Sequence, residues 1–210
     1  MYRPMGDNMR ITSALMSGAL AAVAVTTALT AVPAAAQVAV PGPPTVKVTD
    51  VKFGGNGCPR NGTSVVMSNS NQAVDIIFSD FAASTSGVRS KDCQVNFLLE
   101  YPAGWSYSLI GAQYRGYTDV GAGSSAQMVN QYYFQGDSRY SELKKTYSGP
   151  REGTFQENHE ADVTHEAPCK ERRYLATRHT LGTQGASATI NLDSMSVDVS
   201  TKVLLNWKPC

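Results

Sequence analysis

Apolar side chains in this chain recur at every second position in short runs, and that period limits the fold more than any other feature. Val46 and Val48 alternate with Thr45, Lys47 and Thr49. Val51 and Phe53 then take the opposite parity, which predicts a bulge or bend near Asp50. Val74, Ile76 and Phe78 alternate with Asp75 and Ser79, and Val95, Phe97, Leu99 and Tyr101 alternate with Gln94, Asn96 and Glu100. Near the end, Ala186, Ala188, Ile190 and Leu192 share one parity, and Val197, Val199, Val203, Leu205 and Trp207 share another. Side chains two apart lie on one face of a strand, so each run has an apolar face to bury. Turn formers separate the runs: Gly54 to Gly57, Asn61 and Gly62, Pro102 to Gly104, Gly121 to Gly123, Gly136 and Asp137, Gly149 and Pro150, and Gly182 to Gly185. No window beyond the first 36 residues carries a sustained helical stripe. The pattern predicts an all-β domain, an antiparallel two-sheet β-sandwich that includes jelly-roll-like arrangements.

The start of the chain says where such a domain works. Arg3 and Arg10 precede an Ala-rich apolar stretch from Ile11 to about Val32, and Ala34, Ala35 and Ala36 form a small-residue processing site before Gln37. Residues 1–36 are expected to be a signal peptide cut after Ala36, with Met1 or Met9 as initiator. The run is long enough to reach the roughly 20 residues of a spanning helix. Its Ala, Ser, Thr and Gly content makes it weakly hydrophobic, however, and favours the leader over an anchor. Residues 37–44 read as an extended, proline-containing lead-in, and residues 45–210 as a single secreted domain long enough to bury a core.

Export exposes the four cysteines to oxidising conditions, so disulfides are expected. Cys58, Cys93, Cys169 and Cys210 permit three pairings. Sequential pairing closes the shortest loops and is the expectation. Chain entropy gives about 4 kcal/mol per bridge and slightly more for the other pairings, so energy does not choose among them. The close C-x-x-C spacing of structural zinc sites is absent. The whole chain has 18 basic and 17 acidic residues, and the part after the leader is formally neutral with no long basic run. A sequence-independent grip on nucleic acid needs a basic face, so nucleic acid is not an expected partner, nor is a membrane once the leader is removed.

Two constellations could carry chemistry. The first is polar: Glu157, His159, Glu160, Asp162, His165 and Glu166. His159 and His165 are too far apart for HExxH, and on a straight strand they would lie about 20 Å apart at roughly 3.3 Å per residue. Only a turn between them would let Glu157, His159 and His165 approach one ion. The plainer reading is a solvated edge strand whose charges discourage edge-to-edge pairing. The second is aromatic. Eight of the ten tyrosines fall between Tyr101 and Tyr147, and exposed rings would make a stacking platform for sugars. Alternation of Trp105 and Tyr107 with Ser106 and Ser108 instead assigns most rings to the core. Tyr132 and Tyr133 are adjacent, so one of them must face outward, and that ring is the better binding candidate. No G-x-S-x-G elbow or phosphate loop is present, and no serine, histidine and acid are singled out as a catalytic set. Asn61, Gly62 and Thr63 form a glycosylation sequon that otherwise reads as a turn.

Several local motifs occur together: Gly55-Asn56-Gly57-Cys58-Pro59, Asp80-Phe81, Cys93-Gln94-Val95-Asn96, Tyr101-Pro102-Ala103-Gly104, Tyr114-Arg115-Gly116-Tyr117, Tyr132-Tyr133-Phe134-Gln135-Gly136-Asp137, Gly149-Pro150 and Pro168-Cys169. In this order the chain resembles the secreted family catalogued as domain of unknown function 4360, over nearly all of the part that follows the leader. The resemblance implies an exported four-cysteine domain with no agreed activity, so no catalytic residue and no cofactor is assigned. The charged run from Glu157 to Glu166 matches the family pattern least. The resulting expectation is a secreted, non-enzymatic binding or surface-interaction domain. It would use a sheet face or loops around Tyr114, Arg115 and Tyr117 and around Tyr132, Tyr133 and Asp137, with an extracellular glycan or protein as partner. The alternatives are an extracellular hydrolase, metal-assisted through Glu157, His159 and His165, and an inhibitor of secreted hydrolases.

Overall fold

The computed structural model describes residues 45–58, 60–192 and 201–210. The leader, the lead-in, and Val197 and Val199 lie outside these residues. In chain order the strands are β1 (Lys47–Gly54), β2 (Thr63–Ser68), β3 (Ala73–Phe78), β4 (Ala82–Ser84), β5 (Ser90–Glu100), β6 (Trp105–Val120), β7 (Ser125–Phe134), β8 (Ser141–Ser148), β9 (Arg151–Glu166), β10 (Leu175–Gln184), β11 (Ala188–Asn191) and β12 (Thr201–Pro209). Among the described residues the only helical segment is a 3-10 turn at Arg60–Gly62. The expected all-β architecture is what the chain adopts.

Two antiparallel sheets form the sandwich. The five-stranded sheet runs β1-β5-β10-β7-β8, and the larger one β2-β3-β12-β6-β11-β4, with β9 on the free edge of β6. β6 is the longest spine: β12 and then β11 occupy one of its edges, while β9 follows the other from Ser108 to Val120. The parity change near Asp50 is real. Pairing of β1 with β5 shifts register between Thr49 and Lys52, and Asp50 takes φ 45° in the left-handed region. That bulge lets Val48 and Phe53, opposite Leu99 and Val95, both face the core.

The core is the inward parity of both sheets. Val95, Phe97, Leu175, Leu181, Met128 and Phe134 come from the smaller sheet, and Ile76, Phe78, Tyr107, Leu109, Tyr114 and Leu205 from the larger. Tyr101, Tyr107, Phe134 and Trp207 form a chain of tilted and edge-on rings with centroids 5.0 to 5.7 Å apart, the geometry that aromatic quadrupoles favour. The disulfides are Cys58–Cys93 and Cys169–Cys210, the sequential pairing. The first ties the loop after β1 to β5, and the second ties the end of β12 to the segment before β10.

At the other edge the sheets close through β8 and β9, joined by a tight turn at Gly149–Pro150. The charged run is indeed the edge strand, and Glu152, Glu160 and Glu166 point into solvent. Opposite Ile110 the strand carries a wide bulge, because Leu109 pairs with His165 while Gly111 pairs with Glu160. Residues 161–164 bow out of the ladder there, and the histidines flanking them both turn inward.

Close packing where β6, β9 and β11 meet makes one glycine a sensitive probe. A Cβ on Gly116 would sit 2.0 Å from the Asn191 carbonyl oxygen and 2.6 Å from the Phe155 ring. Gly182 on β10 has nothing within 4 Å of such an atom. We expect Gly116→Ala to cost about 1–3 kcal/mol, read as a lower midpoint in urea. Gly182→Ala should be neutral or stabilising by a few tenths of a kcal/mol.

Candidate functional site

Strand parity sorts the tyrosines. Tyr132 is fully buried, and Tyr133 beside it stands on the outer face of the five-stranded sheet, half-buried. Tyr114 is also in the core. Arg115 and Tyr117 lie on the outer face of the other sheet, where Arg115 Nε donates to Gln156 Oε1 at 3.0 Å and the Tyr117 hydroxyl donates to Glu152 Oε1 at 3.0 Å. Asp137 is in the turn after β7, gripped by the backbone and guanidinium of Arg139 at 3.0 Å, which holds its carboxyl down to about 2. The residues singled out in the sequence are therefore spread over two outer faces, a turn and the core. Of them only Tyr133 shares a surface with other candidate contacts.

That surface is built by register. Antiparallel pairing places Lys52, Asn96, Ala176 and Tyr133 in one cross-strand row. The next row is Gln94, Arg178, Gln131 and Glu142; then come Asp92, Thr180, Val129 and Lys144, and then Ser90, Gly182, Gln127 and Thr146. Neighbouring strands lie about 4.8 Å apart, so members of a row touch. Across strands, Gln131 Nε2 donates to Glu142 Oε2 at 2.6 Å and Gln127 Nε2 to Thr146 Oγ1 at 3.2 Å, while along β5 Gln94 Nε2 donates to Asn96 Oδ1 at 3.2 Å. Each amide is fixed by one end and keeps its other groups for a ligand. Charge on the face is largely cancelled: Arg178 Nε meets Asp92 Oδ2 at 2.8 Å, which also accepts from Thr180 Oγ1 at 3.1 Å. The result is a preorganised, nearly neutral field of donors and acceptors beside one phenol ring.

Arg178, Gln131, Gln94 and Asn96 were not singled out in the sequence. Their signal was present, because the polar parity of β5 and β7 is rich in amides and that of β10 carries Arg178. Nothing local says that these three strands are neighbours.

The polar constellation of β9 takes another course. The bulge at residues 161–164 brings His159 and His165 to the same ring, with Tyr132 5.8 Å from one imidazole and 6.3 Å from the other. His159 Nε2 lies 3.2 Å from Asp162 Oδ2, and that carboxylate accepts from Glu142 N at 3.0 Å. Ser141 Oγ accepts from Asp162 N at 3.1 Å and sits 3.3 Å from His165 Nε2. The other ring nitrogen, Nδ1, faces Asp137 Oδ2 at 3.7 Å. Hydroxyl, imidazole and carboxylate follow in the order of a nucleophilic triad. Ser141 and His165 have no exposed surface, however, so no carbonyl carbon reaches the hydroxyl. What the arrangement does is tie β8 to β9. Burial pushes the His165 pKa down against the pull of Asp137 and raises the Tyr132 phenol to about 12. Glu157 is engaged elsewhere, by the Tyr147 hydroxyl at 3.1 Å and by Lys145 at 3.2 Å. Among the described residues no three His, Cys, Asp or Glu side chains converge in a metal-binding arrangement.

Fold and bridges define a disulfide-stapled extracellular β-sandwich with a polar sheet face. The chain belongs to the family described as domain of unknown function (DUF4360), whose pattern matches residues 44–210. An uncharacterized secreted protein of Arthroderma benhamiae is 30% identical over 181 residues, covering 81% of this chain and 74% of that protein. Among solved structures, TmCBM61 in complex with β-1,4-galactotriose aligns over 76% of this chain and 88% of that one, with 10% identity and a TM-score of 0.27. A family 11 carbohydrate-binding module from Clostridium thermocellum, in complex with a mixed-linked tetrasaccharide, aligns over 76% and 87%, with 7% identity and a TM-score of 0.21. Likeness at that level carries no conclusion about fold detail or ligand.

His179 gives the domain a defined acid response. It is fully buried with Nδ1 2.8 Å from Asn130 Oδ1 and Nε2 3.1 Å from Thr177 Oγ1, and desolvation lowers its pKa to about 3. In the unfolded chain it titrates near 6.5. Between these values the unfolded state binds the extra proton, so stability is complete above about pH 6.5 and falls as pH drops toward about 3. Urea midpoints measured across that range should decline with acid, and His179→Gln should flatten the slope.

Proposed function

We propose that the protein is a secreted carbohydrate-binding domain that holds a polyhydroxylated chain across the outer face of β5, β10 and β7. One observation carries this reading: the rows Asn96–Ala176–Tyr133 and Gln94–Arg178–Gln131 set amides, a guanidinium and a phenol ring side by side on one open, rigid surface. Sugar hydroxyls both donate and accept, and primary amides match them in both senses. Pyranose rings also present an apolar C–H face, and the ring of Tyr133 offers the flat partner for it. Because Arg178 and Asp92 cancel each other, hydrogen bonding and stacking rather than net charge would hold the ligand on this part of the face. The lateral hydrogen bonds restrain side chains before binding, so less conformational entropy is lost when the ligand docks. Both sheets are locked behind this surface by the disulfides, which fits work outside the cell.

A glycan array probed with the mature protein, followed by calorimetry on the best ligands, tests the proposal. Tyr133→Ala should weaken binding about ten-fold, equivalent to about 1.4 kcal/mol, with the fold intact by far-ultraviolet circular dichroism. Gln131→Ala should weaken it less. Silence across the array, or full affinity in Tyr133→Ala, would remove the reading.

A further inference from the structure

At one end of the sandwich the chain leaves β9 and crosses to β10 through residues 167–174, pinned at Cys169 by its bridge to Cys210. Arg172 lies in the middle of this strap and is exposed. Its Nη2 donates to the Tyr101 carbonyl oxygen at 2.9 Å, and its Cζ stands 5.6 Å from the Tyr101 ring centroid. That ring belongs to the core, 8% exposed and wedged edge-on against Tyr107 and Trp207. The guanidinium is thus seated on a rigid plate by stacking and by one of its five N–H donors.

Among the described residues no carboxylate stands within ion-pair distance of Arg172, whereas Arg173 meets Glu171 at 3.4 Å and Arg178 meets Asp92 at 2.8 Å. Lys47 and Glu100, opposite each other in register, line one hollow with Arg172. Three adjoining hollows of about 320, 370 and 200 Å³ share Arg172 in their walls. The smallest is also lined by Trp105 and Lys170. The largest is bounded by Gln135 and Tyr174, whose backbones are joined by Gln135 N donating to Tyr174 O at 2.9 Å. It therefore opens at the end of the face that carries Tyr133. Arg172 is four residues from Ala176, at most about 14 Å along an extended chain, within reach of the same bound polymer.

We propose that Arg172 is the carboxylate receptor of the sheet-face ligand, which makes that ligand an acidic polysaccharide containing uronic acid units. This inference rests on the carbohydrate reading of the face. A planar guanidinium with a free N–H edge accepts a carboxylate in two parallel hydrogen bonds, which a neutral hydroxymethyl group at the same carbon does not reproduce. Lys170 adds positive potential at the same end, and the neutral centre of the face accommodates hydroxyls between successive acid groups.

The experiment is calorimetry at neutral pH on the mature protein with hexamers of galacturonate, mannuronate and glucuronate, each beside its carboxyl-reduced counterpart. At least one acid form should bind about ten-fold more tightly than its reduced form, the scale of one charge-assisted contact. Arg172→Gln should abolish that preference while leaving affinity for the reduced chain unchanged, and Arg172→Lys should restore only part of it. Equal binding of acid and reduced forms throughout the panel overturns the assignment of Arg172, as does a preference that survives Arg172→Gln. In those cases, reduced chains that still lose affinity in Tyr133→Ala leave the sheet-face reading standing. If no chain of either form binds, both fall.

Discussion

Hydrogen bonding of β6 along both of its edges is the constraint on which the rest depends. Its sixteen residues are paired with β12 and β11 on one side and β9 on the other, so a single segment fixes the order of the larger sheet. Once β6 is central, its alternation commits Tyr107, Leu109 and Tyr114 to the interior, and the smaller sheet has a defined apolar surface to cover. The aromatic chain from Tyr101 to Phe134 follows from that commitment. So does the close approach at Gly116, where the backbone of β11 and the ring of Phe155 leave no room for a side chain.

The interior is less apolar than the alternation alone suggests. His179, Asn130 and Thr177 form one buried hydrogen-bonded group, and Ser141, His165 and Tyr132 are buried at the seam between β8 and β9. Uncompensated burial of such groups costs several kcal/mol, and pairing them recovers most of it while fixing one geometry. The first group links β10 to β7 inside the smaller sheet, and the second holds the edge strands β8 and β9 together in a specific register. The buried imidazoles, held neutral by desolvation, make acidification a direction in which the domain loses stability.

The proposed function rests on what the sheets leave outside. The smaller sheet turns amides, one guanidinium and one phenol outward. Because lateral hydrogen bonds hold these groups before any ligand arrives, the face resembles a recognition surface more than a solvated one. The disulfide-pinned strap at its end adds a preoriented cation. A neutral field that ends at a fixed positive group discriminates by chain chemistry and by position together, which a diffuse basic patch does not do.

Much of the architecture was legible in the residues. Alternation gave the strands, the parity change at Asp50 gave the bulge in β1, and spacing favoured the sequential pairing of the cysteines. The adjacency of Tyr132 and Tyr133 required one outward ring, although only the neighbours of β7 decide that it is Tyr133. The meeting of His159 and His165 was illegible, because it depends on four residues of β9 bowing out opposite a single residue of β6. The rows of the candidate site were illegible for the same kind of reason, since β5, β10 and β7 are far apart in the chain. Sequence determined what each strand buries and what it exposes, because side-chain parity is a local property of an extended backbone. Tertiary structure decided which exposed groups stand together and seated Arg172 on the Tyr101 ring, because those depend on contacts between segments that local chemistry does not link.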